Sequence, residues 1–353
     1  MTDSLLFQIC PNDHPPFLDI CGVYQSAAQQ IGRELITVFL SPAHGEIMPG
    51  ALYLNCPTLR QTRSVARTFE SLLTARGVPR QQAGLAICHR YRAYRAFRAS
   101  GYTARRTVAI AHEFEFFARW RRRIDQRLFA RDASFAGVSQ PVVDELAGAV
   151  DDPLLMPNGI DLGRTEAARV ERPQARAALK LNEESFTVGV VGRLHPKKQP
   201  QLALAGFAAL AGDLPDAHLL FIGDGELEAT LRDAAGSLSV SFAGFIPDAA
   251  RYIRALDALV IPSGEREAFS MVALEAMAAG VPVIAGPTPG PHFVLGDVGY
   301  YFDTFAAADL AAAIKMVHAD RGGNRERLAR GLARAEQEFS VAAIAGRLQG
   351  LLA

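Results

Sequence analysis

The segment Glu267-Ala-Phe-Ser-Met-Val-Ala-Leu-Glu275-Ala-Met-Ala-Ala-Gly280-Val-Pro282 reads as a helix from about Phe269 to Ala279, stopped by Gly280 and Pro282. Apolar runs flank it, Ala258 to Pro262 before and Pro282 to Ala285 after, which is the strand-helix-strand order of a parallel sheet. Nearly every side chain of the helix is apolar, so most of its sides should face protein. Glu275 is the exception, and a carboxylate in such surroundings is costly unless a partner, a polar ligand or water meets it. Glu267 stands eight residues earlier, in the loop at the helix entrance and on roughly the same side. Between the two acids lies a helix N-terminus, whose free N–H groups and dipole attract phosphate. Acid, phosphate site, acid is a spacing suited to a nucleotide-sugar. The plainer readings are a dipole partner for Glu267 and a salt bridge for Glu275.

The same alternation extends in both directions. Toward the N-terminus the strand candidates are Leu5 to Cys10, Leu35 to Leu40, Leu52 to Asn55, Gly84 to Cys88, Thr107 to Ala111 and Ser134 to Val138. The second half adds Thr187 to Val191, His218 to Ile222, Val240 to Ala243 and Gly299 to Phe302. Two Rossmann-like α/β domains with parallel sheets facing an interdomain cleft are the economical reading. Asp151 to Asp161 is rich in turn residues and reads as the hinge, followed by one charged helical stretch from Gly163 to Lys180. The expected divisions are 1–160, 161–335 and a C-terminal helix, 336–353, crossing back to the first domain.

Composition supports an ordinary globular chain: 353 residues, 49% hydrophobic and 21% charged. Lysine plus arginine and aspartate plus glutamate balance at 37 each, so no global field favours nucleic acid. Lysine occurs only at Lys180, Lys197, Lys198 and Lys315. Cys10, Cys21, Cys56 and Cys88 show no metal-ligand spacing and read as small buried hydrophobes in a reducing compartment. The N-terminus lacks a basic n-region, and no stretch is long and apolar enough to span a membrane, so a cytoplasmic address is expected.

In Val188-Gly-Val-Val-Gly192-Arg193-Leu-His-Pro-Lys197-Lys198-Gln-Pro200 an apolar strand ends at glycine, with three cations close behind. Fixed cations at a strand terminus can neutralise charge on a leaving diphosphate. Gly223-Asp-Gly225 lacks the third glycine of a dinucleotide fingerprint and reads as a βα turn.

Taken together these strings resemble the retaining glycosyltransferases of family 4, which have the GT-B architecture. Glu267 and Glu275 match that family's E-x7-E motif, Val191-Gly-Arg193 with Lys198 its VGRL-x-P-x-K string, and Pro157-Asn158-Gly159-Ile160-Asp161 its hinge. Phe221-Ile-Gly-Asp-Gly-Glu, Phe242-Ala-Gly244-Phe245 and Leu256-Asp257-Ala-Leu-Val-Ile-Pro262-Ser263 follow in order. The resemblance implies that Arg193 and Lys198, beside Gly192, hold the donor diphosphate together with the backbone of Ala268, Phe269, Ser270 and Met271. It implies Glu275 on the ribose, Glu267 on donor-sugar hydroxyls, and the backbone at Phe245 and Ile246 against the base. His112, ending Val108-Ala-Ile-Ala-His112, would lie beside the reaction centre, with His89 a second candidate. Three departures stand out: the first loop has Gly22 but no Gly-Gly pair, Gly290-Pro-His292 replaces Gly-x-Pro-Glu, and Gln199 replaces a glycine.

The implied reaction is transfer of a sugar from a UDP- or GDP-linked donor to a hydroxyl of a glycan or lipid-linked acceptor, in cell-surface polysaccharide or lipopolysaccharide assembly. No Asp-x-Asp stands at a strand end, so neither metal nor cofactor is expected. A non-catalytic partner subunit or a nucleotide-sugar epimerase of the same architecture remains the alternative, and the missing glycine fingerprint disfavours a nicotinamide-dependent dehydrogenase. Residues 90–131 carry 12 arginines against Glu113, Glu115 and Asp125, with Phe117, Trp120, Ile124 and Leu128 at helical spacing. The narrow stripe favours a helix packing its aromatic side on the sheet; the other reading is peripheral docking on anionic lipid at the inner face of the cytoplasmic membrane.

Overall fold

The computed structural model describes residues 5–44, 47–55, 62–78, 83–129, 133–210, 212–264, 266–320 and 324–353. Cys56 and Arg131 lie outside these, as does the side chain of Leu128. The chain folds as two compact units, one running to Ile160 and including Glu338–Ala353, the other Asp161–Gln337.

The first unit is built on seven parallel strands: β1 (Leu5–Cys10), β2 (Glu34–Phe39), β3 (Leu52–Tyr53), β4 (Ala83–His89), β5 (Ala104–Ala111), β6 (Ala133–Gly137) and β7 (Leu154–Leu155). Their order is β3-β2-β1-β4-β5-β6-β7. The second has β8 (Phe186–Val191), β9 (Ala217–Ile222), β10 (Val240–Phe242), β11 (Ala258–Ile261), β12 (Val283–Ala285) and β13 (Tyr300–Tyr301), ordered β10-β9-β8-β11-β12-β13 and also parallel. Helices connect the strands of both sheets, so the chain is the doubly wound α/β class in duplicate. Central strands covered on both faces are predominantly apolar, and β1, buried along its whole length, is apolar but for Gln8. The strand order reverses between β1 and β4 and between β8 and β11, where crevices open beyond the strand ends.

Two readings of the connecting region need correction. Part of the presumed hinge is β7, which pairs with β6 inside the first sheet; two residues are too short a run to show a strand pattern against turn-rich flanks. The charged stretch is two helices, Leu162–Ala168 and Arg172–Ala178, the second opening on Pro173. Asp161 caps the first by accepting from the Arg164 amide at 3.0 Å. Arg176 on the second is only 2% exposed and bonds the Ala255, Asn182 and Ser185 carbonyls and the Asp257 carboxylate. It ties together the segments that enter the central strands β8 and β11, at the end opposite the ligand-binding strand ends. The chain closes with helix Val341–Leu352, capped by Ser340 and packed on helix Phe17–Gln30.

Candidate active site

At the β8/β11 crevice the backbone is arranged before any side chain matters. Gly192 donates to the Ile222 carbonyl at 2.9 Å, and Gly223 to Gly244 at 2.8 Å, lacing together the loops after β8, β9 and β10. A Cβ on Gly223 would stand 2.1 Å from the Gly192 oxygen, so only glycine permits the contact. Gly223-Asp-Gly225 is thus a close-approach device beyond a simple turn. After Gly192 the chain passes exposed Arg193 and a short 3₁₀ turn, Pro196–Lys198.

On the other side, β11 leads into the loop that carries Glu267. Ser263 and Ser270 are buried there, and the Ser270 hydroxyl accepts from the Ala273 amide at 3.3 Å, capping a helix that begins at Met271. The helix therefore starts two residues later than the composition suggests, because Ser270 is extended. It ends where expected, with Gly280 left-handed at φ 68°. The amides of Met271 and Val272, in its first turn, have no intrahelical acceptor. Thr288 donates to the Ser263 carbonyl at 2.7 Å and Gly290 to that of Glu267 at 2.9 Å, so the loop is held from behind.

These two walls meet in a pocket lined by Gly192, Arg193 and Lys198 on one side and Ser263, Glu267 and Ser270 on the other. Lys198 Nζ lies 2.8 Å from Glu267 Oε1. Glu267 is 12% exposed and its Oε2 has no hydrogen-bond partner among the described residues, leaving an acceptor for a ligand hydroxyl. The other anticipated residues of the second unit lie outside that lining. Ala268 is buried, and Phe269, Met271, Ile246 and Glu275 are half-buried. Phe245, after the edge strand β10, is 66% exposed. Val190, Pro200, Val260 and Val272, which lie within the quoted strings but were assigned no role, supply its apolar walls.

His112 stands in the first unit, directly after β5, and His89 ends β4. His89 Nδ1 is 2.9 Å from His112 Nε2, and His89 Nε2 is 3.0 Å from the Gln8 amide. Burial pushes the His89 pKa down to about 3. Burial, with the neighbouring His89 ring and the Arg90 charge, holds His112 well below the usual imidazole range.

The arginine-rich segment differs from the packing expected of it. Phe117 is buried, whereas Trp120 and Ile124 are 64% and 46% exposed. Phe116 and Phe117 already pack on Phe135, so helix Trp120–Phe129 turns a polar face inward. Asp125 bonds Tyr91 and Arg98, and the Arg122 guanidinium lies 5.1 Å over the Tyr91 ring.

Residues 171–333 match the model of the glycosyl transferases group 1 family. That segment, a little under half of the chain, is similar to the group 1 glycosyltransferases. Among its relatives is a D-inositol 3-phosphate glycosyltransferase from Geodermatophilus obscurus, 32% identical over 59% of this chain and 48% of the relative. The chain thus spans about half the length of that curated relative. A glycosyltransferase structure from Rickettsia africae superposes with a TM-score of 0.80 at 13% identity, covering 100% of this chain and 98% of that one. Anabaena HepE in complex with UDP and glucose gives 0.76 at 19% identity, covering 99% of each chain. The fold is therefore GT-B, and the segment that matches the family contains both walls of the pocket.

Proposed function

We propose that the protein is a retaining, metal-independent glycosyltransferase that moves a sugar from a nucleotide-sugar to a hydroxyl of a glycan or lipid-linked acceptor. The observation that carries this reading is the Lys198–Glu267 pair across the β8/β11 pocket, beside the N-terminus of helix Met271–Ala279. The donor diphosphate takes Lys198, Arg193 and the Met271 and Val272 amides as partners, which gives the departing group its compensating charge. Once the phosphate holds Lys198, both Glu267 oxygens serve the sugar hydroxyls, and Glu275 takes the ribose. The acceptor oxygen attacks the anomeric carbon from the face the diphosphate leaves. The carbon–phosphate-oxygen bond breaks, the new glycosidic bond forms, and the acceptor proton passes to the departing phosphate oxygen. HepE binding UDP and glucose favours a UDP-linked donor, and cell-surface glycan assembly is the setting we infer.

The exposed Trp120 and Ile124, with exposed Arg119, Arg121 and Arg123 around them, support peripheral contact with an anionic membrane that presents a lipid-linked acceptor. Thermal-shift measurement against UDP and GDP sugars is the first test, followed by the anomeric configuration of the product. Glu267→Ala, Lys198→Ala and Arg193→Ala should each cut turnover by at least about 10²-fold with the fold intact. Stabilisation by no nucleoside diphosphate, or near-normal rates in all three variants, sinks the assignment. Rapid hydrolysis of a nucleotide-sugar without acceptor separates an enzyme from a partner subunit.

A further inference from the structure

Gln8 in β1, Thr37 in β2 and His89 at the end of β4 have no exposed surface, yet each is a polar side chain among buried apolar neighbours of its strand. Aliphatic residues there would avoid desolvating polar groups, so the three have a purpose beyond packing. Their hydrogen bonds form one directed chain. Gln25 Nε2 donates to Thr37 Oγ1 at 3.3 Å, and the Thr37 hydroxyl donates to Gln8 Oε1 at 3.1 Å. With its oxygen engaged, the Gln8 amide presents N–H to His89 Nε2 at 3.0 Å. A neutral imidazole that accepts on one nitrogen carries its proton on the other. His89 therefore donates from Nδ1 to His112 Nε2 at 2.9 Å, and the same rule leaves the His112 proton on Nδ1.

We propose that Gln8, Thr37 and His89 are positioning residues that fix His112 as the neutral Nδ1–H tautomer, making it a hydrogen-bond donor to a substrate oxygen and removing it as a proton acceptor. The substrate contact rests on the glycosyl-transfer reading; the tautomer does not. The surroundings keep both rings neutral. Tyr24 packs on His89 with centroids 5.2 Å apart and Phe17 on His112 at 5.1 Å, excluding water from those ring faces. The charge facing His112 is the Arg90 guanidinium, stacked 4.8 Å over Phe17 and paired to Glu113, and it opposes protonation. An imidazole so held donates without changing state through the neutral pH range.

The test is long-range ¹H–¹⁵N correlation of the histidine ring nitrogens in the full chain, with Gln8→Glu as the perturbation. In the wild type both rings should be neutral with the proton on Nδ1 between about pH 6 and 8. A carboxylate at position 8 accepts from His89 Nε2–H and so should reverse both tautomers. Turnover should then fall by about 10²-fold, as on loss of one oriented donor. Nucleoside-diphosphate stabilisation, whose contacts are all in the second unit, should stay within about twofold of the wild type. A wild-type His112 with its proton on Nε2, or charged at pH 7, overturns the proposal even if Gln8→Glu does not fold. A reversed tautomer with undiminished transfer overturns the donor role. Should the wild type transfer no sugar, the functional reading fails while the ring spectra still decide the tautomer.

Discussion

Gly290→Ala probes how tightly the Glu267 loop is set. A methyl group at Gly290 would sit 2.3 Å from the Glu267 carbonyl oxygen and 2.6 Å from both the Ala268 carbonyl carbon and the Phe269 nitrogen. All three are backbone atoms, so no rotamer change relieves the clash. Reaching an ordinary contact near 3.4 Å requires about 1 Å of movement, and the 2.9 Å bond from the Gly290 amide to Glu267 must stretch with it. Overpacking of this kind costs about 1–3 kcal/mol of stability. The larger effect should be on turnover, because displacing a positioned group by about 1 Å can cost about 10²-fold. The assay is steady-state sugar transfer with urea unfolding in parallel, using Gly346→Ala as control. A methyl at Gly346 meets no heavy atom within 4 Å, and within helix Val341–Leu352 alanine should stabilise by about 0.5–1 kcal/mol. If Gly290→Ala keeps turnover within about threefold of wild type, the loop is not the rigid support described and the placement of Glu267 must be reconsidered.

Arg176→Met should lower unfolding free energy by about 1–3 kcal/mol in urea titration, since it takes their donor from the Ala255, Asn182 and Ser185 carbonyls while Asp257 keeps Arg172 and the Thr187 amide; a loss under about 0.5 kcal/mol would mean that water satisfies them. His89 should impose an acid-side slope on stability. Its folded pKa of about 3 lies below the ordinary 6.5, so the unfolded chain takes up a proton that the folded chain refuses. Stability attributable to it is full above about pH 6.5 and falls by about 1.4 kcal/mol per pH unit toward pH 3; His89→Phe should lose that slope, so the wild-type-minus-variant difference should display it. Wild-type protein should float with phosphatidylserine vesicles at low salt, and Trp120→Ser with Ile124→Ser should weaken binding by about tenfold; wild type that stays in the aqueous fraction refutes membrane contact.

Much of the architecture was legible because a parallel strand covered on both faces must be apolar over a run bounded by turns. β1 was placed to the residue, and β8, β9 and β11 to within one. β7 was missed because pairing with β6, rather than its own two residues, makes it a strand. Glu267, Lys198 and Arg193 could be singled out as charges in apolar or lysine-poor contexts, and the structure brings all three to one pocket. Arg176 and Trp120 were illegible for the converse reason. A helical arginine normally reaches water, but Arg176 is held inward by the Ala255, Asn182 and Ser185 carbonyls; a helical tryptophan normally reaches the core, but Phe116 and Phe117 already fill the place on Phe135.

One departure from the family strings becomes intelligible once the backbone angles are in hand. Gln199 stands where glycine is usual, and its backbone is left-handed, at φ 47° and ψ 47°. A side chain in that region costs about 1–2 kcal/mol, which glycine would not incur. The strain is held from both sides: Gln199 donates to the Pro196 carbonyl at 3.1 Å, and Gly264 leaves the space that its amide occupies, since a Cβ on Gly264 would lie 3.1 Å from Gln199 Nε2. Gly264 also donates to Lys197 at 3.2 Å, so the turn that aims Lys198 is fastened to the loop that leads to Glu267. The glutamine thus adds a side-chain contact between the two walls where a glycine could offer none, and the strained turn couples the cation to the acid it faces.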